Sequence, residues 1–136
     1  MGHSARNIIL KQFKDQLGGT IFLAGTPRRI ISLVPSQTEL LFDLGLDKEV
    51  IGITRFCIHP KEKCAKKIKI GGTKSFNFDL IDKLKPDLIL GNKEENCKAG
   101  IERLRSKHNV WMSDVTTLNG AYQMIRSIGD IVRKSQ

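Results

Sequence analysis

The stretch RRIISLVPSQTELLFDLG, residues 28–45, constrains the fold more than any other part of the chain. Ile30 to Val34 is an apolar run too short for a helix, bounded by arginine before it and proline after it. Such a run suits a parallel strand covered on both faces. Pro35 has no N–H and stops the ladder. Ser36 and Glu39 then stand at capping-box spacing, which predicts a helix starting behind Ser36. Leu40, Leu41 and Leu44 give that helix its apolar face, and Gly45 supplies a left-handed stop. The unit is strand, loop, helix, stop.

The same unit recurs down the chain. Val50–Thr54 reads as a second strand, Ile68–Ile70 as a short third, Asp87–Leu90 as a fourth and Val110–Met112 as a fifth. Between them, Asn77 is placed to cap a short helix carrying Leu80, Ile81 and Leu84 and ended by Pro86. Residues 96–107 form a second helical stretch with a narrow apolar face, and Asp114 or Thr116 is placed to cap a last helix. Strands alternating with helices predict an α/β fold: a Rossmann-like parallel sheet of about five strands with helices on both faces. Ahead of it, Gly18-Gly19 between two short mixed stretches marks a hairpin, taken as a flap or edge hairpin outside the main sheet.

In a parallel sheet, ligands bind at the carboxyl ends of the strands. Those ends are Pro35–Gln37, Arg55–His59, Gly71–Phe76, Gly91–Asn96 and Ser113–Asp114. Nearly every chemically distinctive side chain of the sequence falls on that one edge.

Charge and cysteine content narrow the function. The net charge of +9 is uneven: seven Lys or Arg face the single Glu62 between Arg55 and Lys74. Such a patch attracts anions, which leaves a basic nucleic-acid-binding module using residues 55–74 as the alternative function. No recognised nucleic-acid-binding signature accompanies it. The cysteines Cys57, Cys64 and Cys97 are odd in number and lack framework spacing, so no disulfide scaffold is expected. Cys57, His59 and Cys64 suggest a three-ligand metal site, but structural zinc wants four ligands and no C-x-x-C pair exists. A Cys57 nucleophile with His59 as base lacks a third group to orient the imidazole. No Ser-His-Asp set, G-x-S-x-G elbow or H-E-x-x-H helix is present, so no enzyme, metal site or cofactor is expected. No apolar run approaches the roughly 20 residues that span a bilayer.

Residues Ile30–Leu40, Val50–Thr54, Gly71-Gly72, Asn77–Ile81 and Leu84–Ile89, in this order and spacing, resemble the N-terminal lobe of periplasmic binding proteins for cobalamin and iron siderophores. These are substrate-binding components of ABC importers, of the type with a rigid helical backbone between two lobes. The resemblance covers roughly residues 20 to 134, with 1–19 as an N-terminal extension that includes the start of the hairpin. It implies a non-catalytic receptor that holds a metal chelate of cobalamin, siderophore or haem type and presents it to an ABC permease. Phe56 matches the aromatic residue that packs on the corrin in cobalamin-binding members, whereas Thr73 and Asn92 stand where those members carry tryptophan. The expected ligand side is Ser36, Gln37, Phe56, Cys57, His59, Thr73, Lys74 and Asn92. Asp79 takes the place of a glutamate that docks on permease arginines, shorter by one methylene.

The resemblance also implies a second lobe, supplied by further chain or by a second copy. The apolar stripe Ala121, Met124, Ile125, Ile128, Ile131 and Val132 is still running near Gln136, which predicts a truncated chain or a partner over that face. A periplasmic or cell-surface location follows from the resemblance. The opening Met1–Arg6 has no apolar core of a secretory signal behind it, which taken alone is compatible with a cytoplasmic chain.

Overall fold

The computed structural model describes residues 9–133; residues 1–8 of the N-terminal extension, and Lys134–Gln136 beyond the last helix, lie outside the described residues. Strands β1 (Lys11–Lys14) and β2 (Thr20–Leu23) pair antiparallel as their own two-stranded sheet, with Phe13 opposite Ile21. Gly18, at φ +86°, takes the left-handed turn position that a side chain would strain. The hairpin lies outside the main sheet, as expected, but it is no loose flap. Ile21 and Leu23 are buried in the core, Trp111 Nε1 donates to the Lys14 carbonyl at 2.9 Å, and the Gln16 N–H donates to the Met112 carbonyl at 2.9 Å. Asp15 completes the attachment. Its carboxylate, with the side chain 1% exposed, accepts from the Leu17, Gly19 and Met112 N–H groups and from Arg105 at 2.6 Å.

The main body follows as β3 (Ile30–Ser32), α1 (Pro35–Asp43), β4 (Val50–Ile53), α2 (Lys61–Ala65) and β5 (Ile68–Lys69), then α3 (Phe78–Leu84), β6 (Leu88–Asn92), α4 (Lys98–Arg105), β7 (Val110–Ser113) and α5 (Leu118–Val132). The strands form one parallel sheet in the order β5-β4-β3-β6-β7. The chain therefore winds outward from β3 to β5, crosses back, and winds the other way from β6 to β7. The reversal lies between β3 and β6, where the loops after two neighbouring strands leave in opposite directions and open a crevice.

Alternation along each strand builds the two faces. Leu88 and Leu90 face α1 and α5, where Leu41, Phe42, Ile128, Ile131 and Val132 are buried with Trp111. Ile89, between them, faces the opposite way onto Ile81 of α3 and Ile101 and Leu104 of α4. Both faces are thus covered, which is why these strands carry continuous apolar runs.

Three helix ends differ from expectation. Helix α1 has Val34 as its N-cap, with no side-chain cap, because Pro35 with its preset φ takes the first helical position. Ser36 therefore sits inside the first turn, exposed, and forms no capping box with Glu39. Gly45, at φ +80°, does close α1: the Gly45 N–H reaches the Phe42 carbonyl and the Leu46 N–H the Leu41 carbonyl. Asn77 caps α3 as expected, accepting from the Leu80 N–H at 3.1 Å. The cap of α5 is Thr117, accepting from the Gly120 N–H at 3.0 Å, not Asp114 or Thr116. Its stop is Arg133 in the left-handed region at φ 58°, so no glycine is needed. The stripe on α5 is covered from within this chain at Ile128, Ile131 and Val132, and it loosens toward Ala121, Met124 and Ile125, which are half-buried.

Candidate functional site at the carboxyl edge of the sheet

Because the five strands are parallel, the loops that follow them all emerge on one edge. Buried amides tie these loops together. Gln37, on the first turn of α1, is 1% exposed; its Nε2 donates to the Gly91 carbonyl at 3.1 Å and to Ser113 Oγ at 2.7 Å, at the ends of β6 and β7. Ser113 Oγ also accepts from Asn92 Nδ2 at 2.9 Å and donates to the Gly91 carbonyl at 3.2 Å. The amide orientation of Gln37 is forced, since turning it over would set its oxygen against the Gly91 carbonyl. Gln37 Oε1, on the other side, has no partner among the described residues.

Asn96 is the second tie. Its Nδ2 donates to the Leu33 carbonyl at 3.2 Å and to the Thr73 carbonyl at 2.7 Å, while its Oδ1 accepts from the Asn92 N–H at 2.8 Å. One side chain, 5% exposed, thereby joins the ends of β3 and β6 to the loop after β5, across the crevice where the sheet order reverses. Gly91 leaves room for it: a Cβ there would lie 2.7 Å from the Met112 sulfur and 2.8 Å from Asn96 Oδ1. Lys74 Nζ donates to the Glu94 carbonyl at 3.2 Å, which draws the same two loops together further out.

After β4 the chain turns through Thr54. The Thr54 hydroxyl accepts from the Phe56 N–H at 3.3 Å, and the Cys57 sulfur lies 3.3 Å from that hydroxyl and 3.1 Å from Thr38 Oγ1. Thr38 Oγ1 donates to Ser32 Oγ at 2.7 Å, so a row of small polar groups supports the loop from beneath. Phe56 ends half-exposed, with the Arg55 guanidinium 5.0 Å from the ring centroid. Both side chains cover Gly72, where a Cβ would stand 3.1 Å from an Arg55 nitrogen and 3.3 Å from the Phe56 ring.

The residues singled out from sequence all fall along this edge, at two depths. Ser36, Phe56, His59 and Lys74 are exposed, and Thr73 and Asn92 are half-buried. Gln37 and Cys57 are buried and act behind the surface, holding the loops rather than standing open. Asp79 is exposed on the first turn of α3. Asn96, Ser113, Thr38 and Thr54 were not singled out. Their only sequence signal was being polar next to apolar strands, which a loop residue also shows.

The metal and nucleophile readings meet specific obstacles. Cys64 Sγ donates to the His59 carbonyl at 3.4 Å, Cys57 rests between two hydroxyls, and no group of three His, Cys, Asp or Glu among the described residues is placed to hold a metal ion. Burial pushes the Cys64 thiol up, with a smaller push from Cys57, so it stays protonated. The basic stretch 55–74 is also partly spent inside the fold. Lys63 pairs with Asp47 at 3.0 Å, Lys67 Nζ donates to the Asp47 carbonyl, and Lys69 Nζ donates to the Cys64 and Lys67 carbonyls at 2.5 and 2.9 Å. Lys63, Lys67 and Lys69 are thus already engaged within the chain, and nothing among the described residues supports the nucleic-acid alternative.

In parallel α/β sheets ligands meet the carboxyl ends of the strands where the strand order reverses, and comparison with known proteins gives this fold a family. The periplasmic binding protein profile matches residues 30–136. The chain belongs to the periplasmic binding protein family. It is 31% identical over 109 residues to the uncharacterised ABC transporter substrate-binding lipoprotein YvrC of Bacillus subtilis, covering 76% of this chain and 34% of that one. It is 35% identical over 79 residues to the vitamin B12-binding protein of Pectobacterium carotovorum, covering 57% of this chain and 28% of that one. Among solved structures, the iron uptake ABC transporter substrate-binding protein PiuA of Streptococcus pneumoniae superposes with a TM-score of 0.80 at 15% identity, covering 93% of this chain and 45% of that one. That likeness is one of fold. The chain spans about a third of the length of the relatives it matches and under half of the solved structure. No helix among the described residues is long and apolar enough to cross a membrane.

Proposed function

We propose that this chain is the N-terminal ligand-binding lobe, residues 20–136, of an ABC-importer receptor for a metal chelate of cobalamin, siderophore or haem type, and that it performs no catalysis. The observation that carries the reading is the tied edge: Gln37 and Asn96 hold the loops after β3, β5, β6 and β7 in fixed register without using any exposed side chain. A rigid lobe loses little conformational entropy on binding, which suits a receptor that captures scarce ligand. Ser36, Phe56, His59, Thr73, Lys74 and Asn92 form the face offered to the ligand, with Gln37 and Cys57 supporting it. Asp79, on the outer side of α3, faces the permease. The second lobe, from further chain or a second copy, closes over the same edge. The relatives' descriptions as lipoprotein and vitamin B12-binding protein favour a periplasmic or surface-anchored setting.

Native mass spectrometry of the purified chain tests this. A retained corrinoid, haem or ferric siderophore mass is the expected result, and a dimer carrying one ligand identifies a second copy as the missing lobe. Failure to retain or take up any of these three ligand classes, as monomer or dimer, contradicts the proposal.

A further inference from the structure

The hairpin of β1 and β2 has two unlike faces. Ile21 and Leu23 turn inward and are buried in the core, with Phe13 packed against them. Alternation turns the residues between them outward, where Gln12 stands opposite Phe22 and Lys14 opposite Thr20. Phe22 is 49% exposed; Leu10 and Ile9, just ahead of Lys11, are 53% and 83% exposed. Lys11 pairs with Leu23, so these three apolar residues all lie toward the open end of the hairpin, away from its turn.

The charge on this segment has one sign. From Ile9 to Arg29 the only carboxylate is Asp15, and it is buried against Arg105. Asp87, which reaches the segment from outside, is taken up by the Arg28 and Arg29 N–H groups at 2.9 and 3.0 Å. Lys11, Lys14 and Arg28 are exposed and form no salt bridge among the described residues.

Apolar side chains beside unpaired cations fit one kind of partner best. Two strands of four residues span roughly 13 by 10 Å, far below the roughly 800 Å² that each side of a stable protein interface needs. Single-stranded nucleic acid would use the cations and the Phe22 ring, but Ile9 and Leu10 have no flat face on which a base can stack. A bilayer moulds itself to a small surface: its acyl boundary takes aliphatic and aromatic side chains alike, and its anionic headgroups meet the lysines.

We propose that the open end of the hairpin is a contact surface for an anionic bilayer. Ile9, Leu10 and Phe22 enter the boundary between headgroups and acyl chains, and Lys11, Lys14 and Arg28 meet lipid phosphates. The surface lies away from the ligand edge. Gln16, at the hairpin turn, bonds to Met112 and Asp114 at the end of β7, whereas the Phe22 carbonyl accepts from Asn109 Nδ2 at 3.1 Å, just ahead of that strand. A lobe resting on this surface holds its carboxyl edge open to solution. The contact uses none of the ligand-side residues and is independent of the receptor reading.

Co-sedimentation of the chain with phosphatidylglycerol-containing vesicles, against pure phosphatidylcholine vesicles, tests it. A net charge of +9 draws the chain to anionic vesicles by itself, so two variants of equal charge change localise the contact. Lys11→Glu, Lys14→Glu is expected to weaken binding to the anionic vesicles at least about tenfold, and Lys61→Glu, Lys66→Glu by less than about threefold; all four lysines are exposed. Emission from a Phe22→Trp variant is expected to shift to the blue on binding, over a constant background from the buried Trp111. Equal weakening in the two double variants, or Phe22→Trp emission that stays where it was, would overturn the contact, because bulk charge would then be enough. Tighter binding of a single-stranded oligonucleotide than of vesicles, lost in Lys11→Glu, Lys14→Glu, would overturn the bilayer as the partner. Absence of vesicle binding at low salt would also overturn it.

Discussion

Asn96→Ala is the perturbation that most sharply separates a tied edge from a set of independent loops. Its side chain makes three hydrogen bonds, two donated to the Leu33 and Thr73 carbonyls and one accepted from the Asn92 N–H. At 5% exposure, water reaches these groups poorly once the amide is gone. At about 1 kcal/mol for each lost bond, the expected cost is about 3 kcal/mol. For a domain of this size that corresponds to a fall in melting temperature of about 10–15 °C. Urea unfolding followed by far-ultraviolet circular dichroism and by Trp111 fluorescence measures it, with coincident transitions confirming two-state behaviour. Asn96→Asp serves as the companion: it keeps an acceptor for Asn92 N–H but turns a carboxylate toward two carbonyls, so it gains nothing over alanine. A loss below about 1 kcal/mol for Asn96→Ala, or an Asn96→Asp variant as stable as the parent, refutes the reasoning.

Other parts of the molecule give equally definite expectations. Gly91→Ala forces a Cβ within 2.7 Å of the Met112 sulfur and 2.8 Å of Asn96 Oδ1, and costs about 1–3 kcal/mol; a neutral change in urea midpoint would show the strand end to be looser than described. Arg105→Ala leaves the Asp15 carboxylate buried with only backbone donors, and is expected to cost about 3 kcal/mol and to speed amide exchange at Phe13 and Ile21; unaltered exchange there argues against the latch. His108, first, and then Lys107 hold the Asp82 carboxyl below the usual carboxylate range by hydrogen bonding. A depressed folded-state value stabilises the fold above the unfolded pKa and loses that contribution as pH falls through the folded one, so the acid limb of the stability profile should flatten in Asp82→Asn. An unchanged acid limb would mean that other carboxylates set it.

What could be read from the sequence follows from how local each feature is. The apolar runs at Ile30–Val34 and Asp87–Leu90, and the breakers Pro35, Gly45 and Pro86, act within a few residues, so strand number, direction and edge were legible. The residues named from sequence lie at or after strand ends for the same reason, whereas Asn96, Ser113, Thr38 and Thr54 carried no such mark. Contacts between distant segments were not. Asn96 meets Leu33, 63 positions away, and Asp15 meets Arg105, 90 positions away. Nothing near either residue marks it as the one polar group that turns inward. The hairpin was recognised from Gly18-Gly19, but its docking on β7 depends on Trp111 and Met112 and so appears only in the folded chain. The capping box failed for a local reason: Pro35 competes with Ser36 for the helix start and its fixed φ wins.

The central claim is that ligand meets the carboxyl edge of the sheet and nothing else. Hydrogen–deuterium exchange mass spectrometry of the chain, with and without saturating ferric chelate, tests it most directly. Protection confined to peptides covering 33–37, 54–59, 71–76, 91–96 and 113–117 is the predicted result. Protection at the opposite edge, around residues 47–49, 85–87 and 106–109, would contradict it.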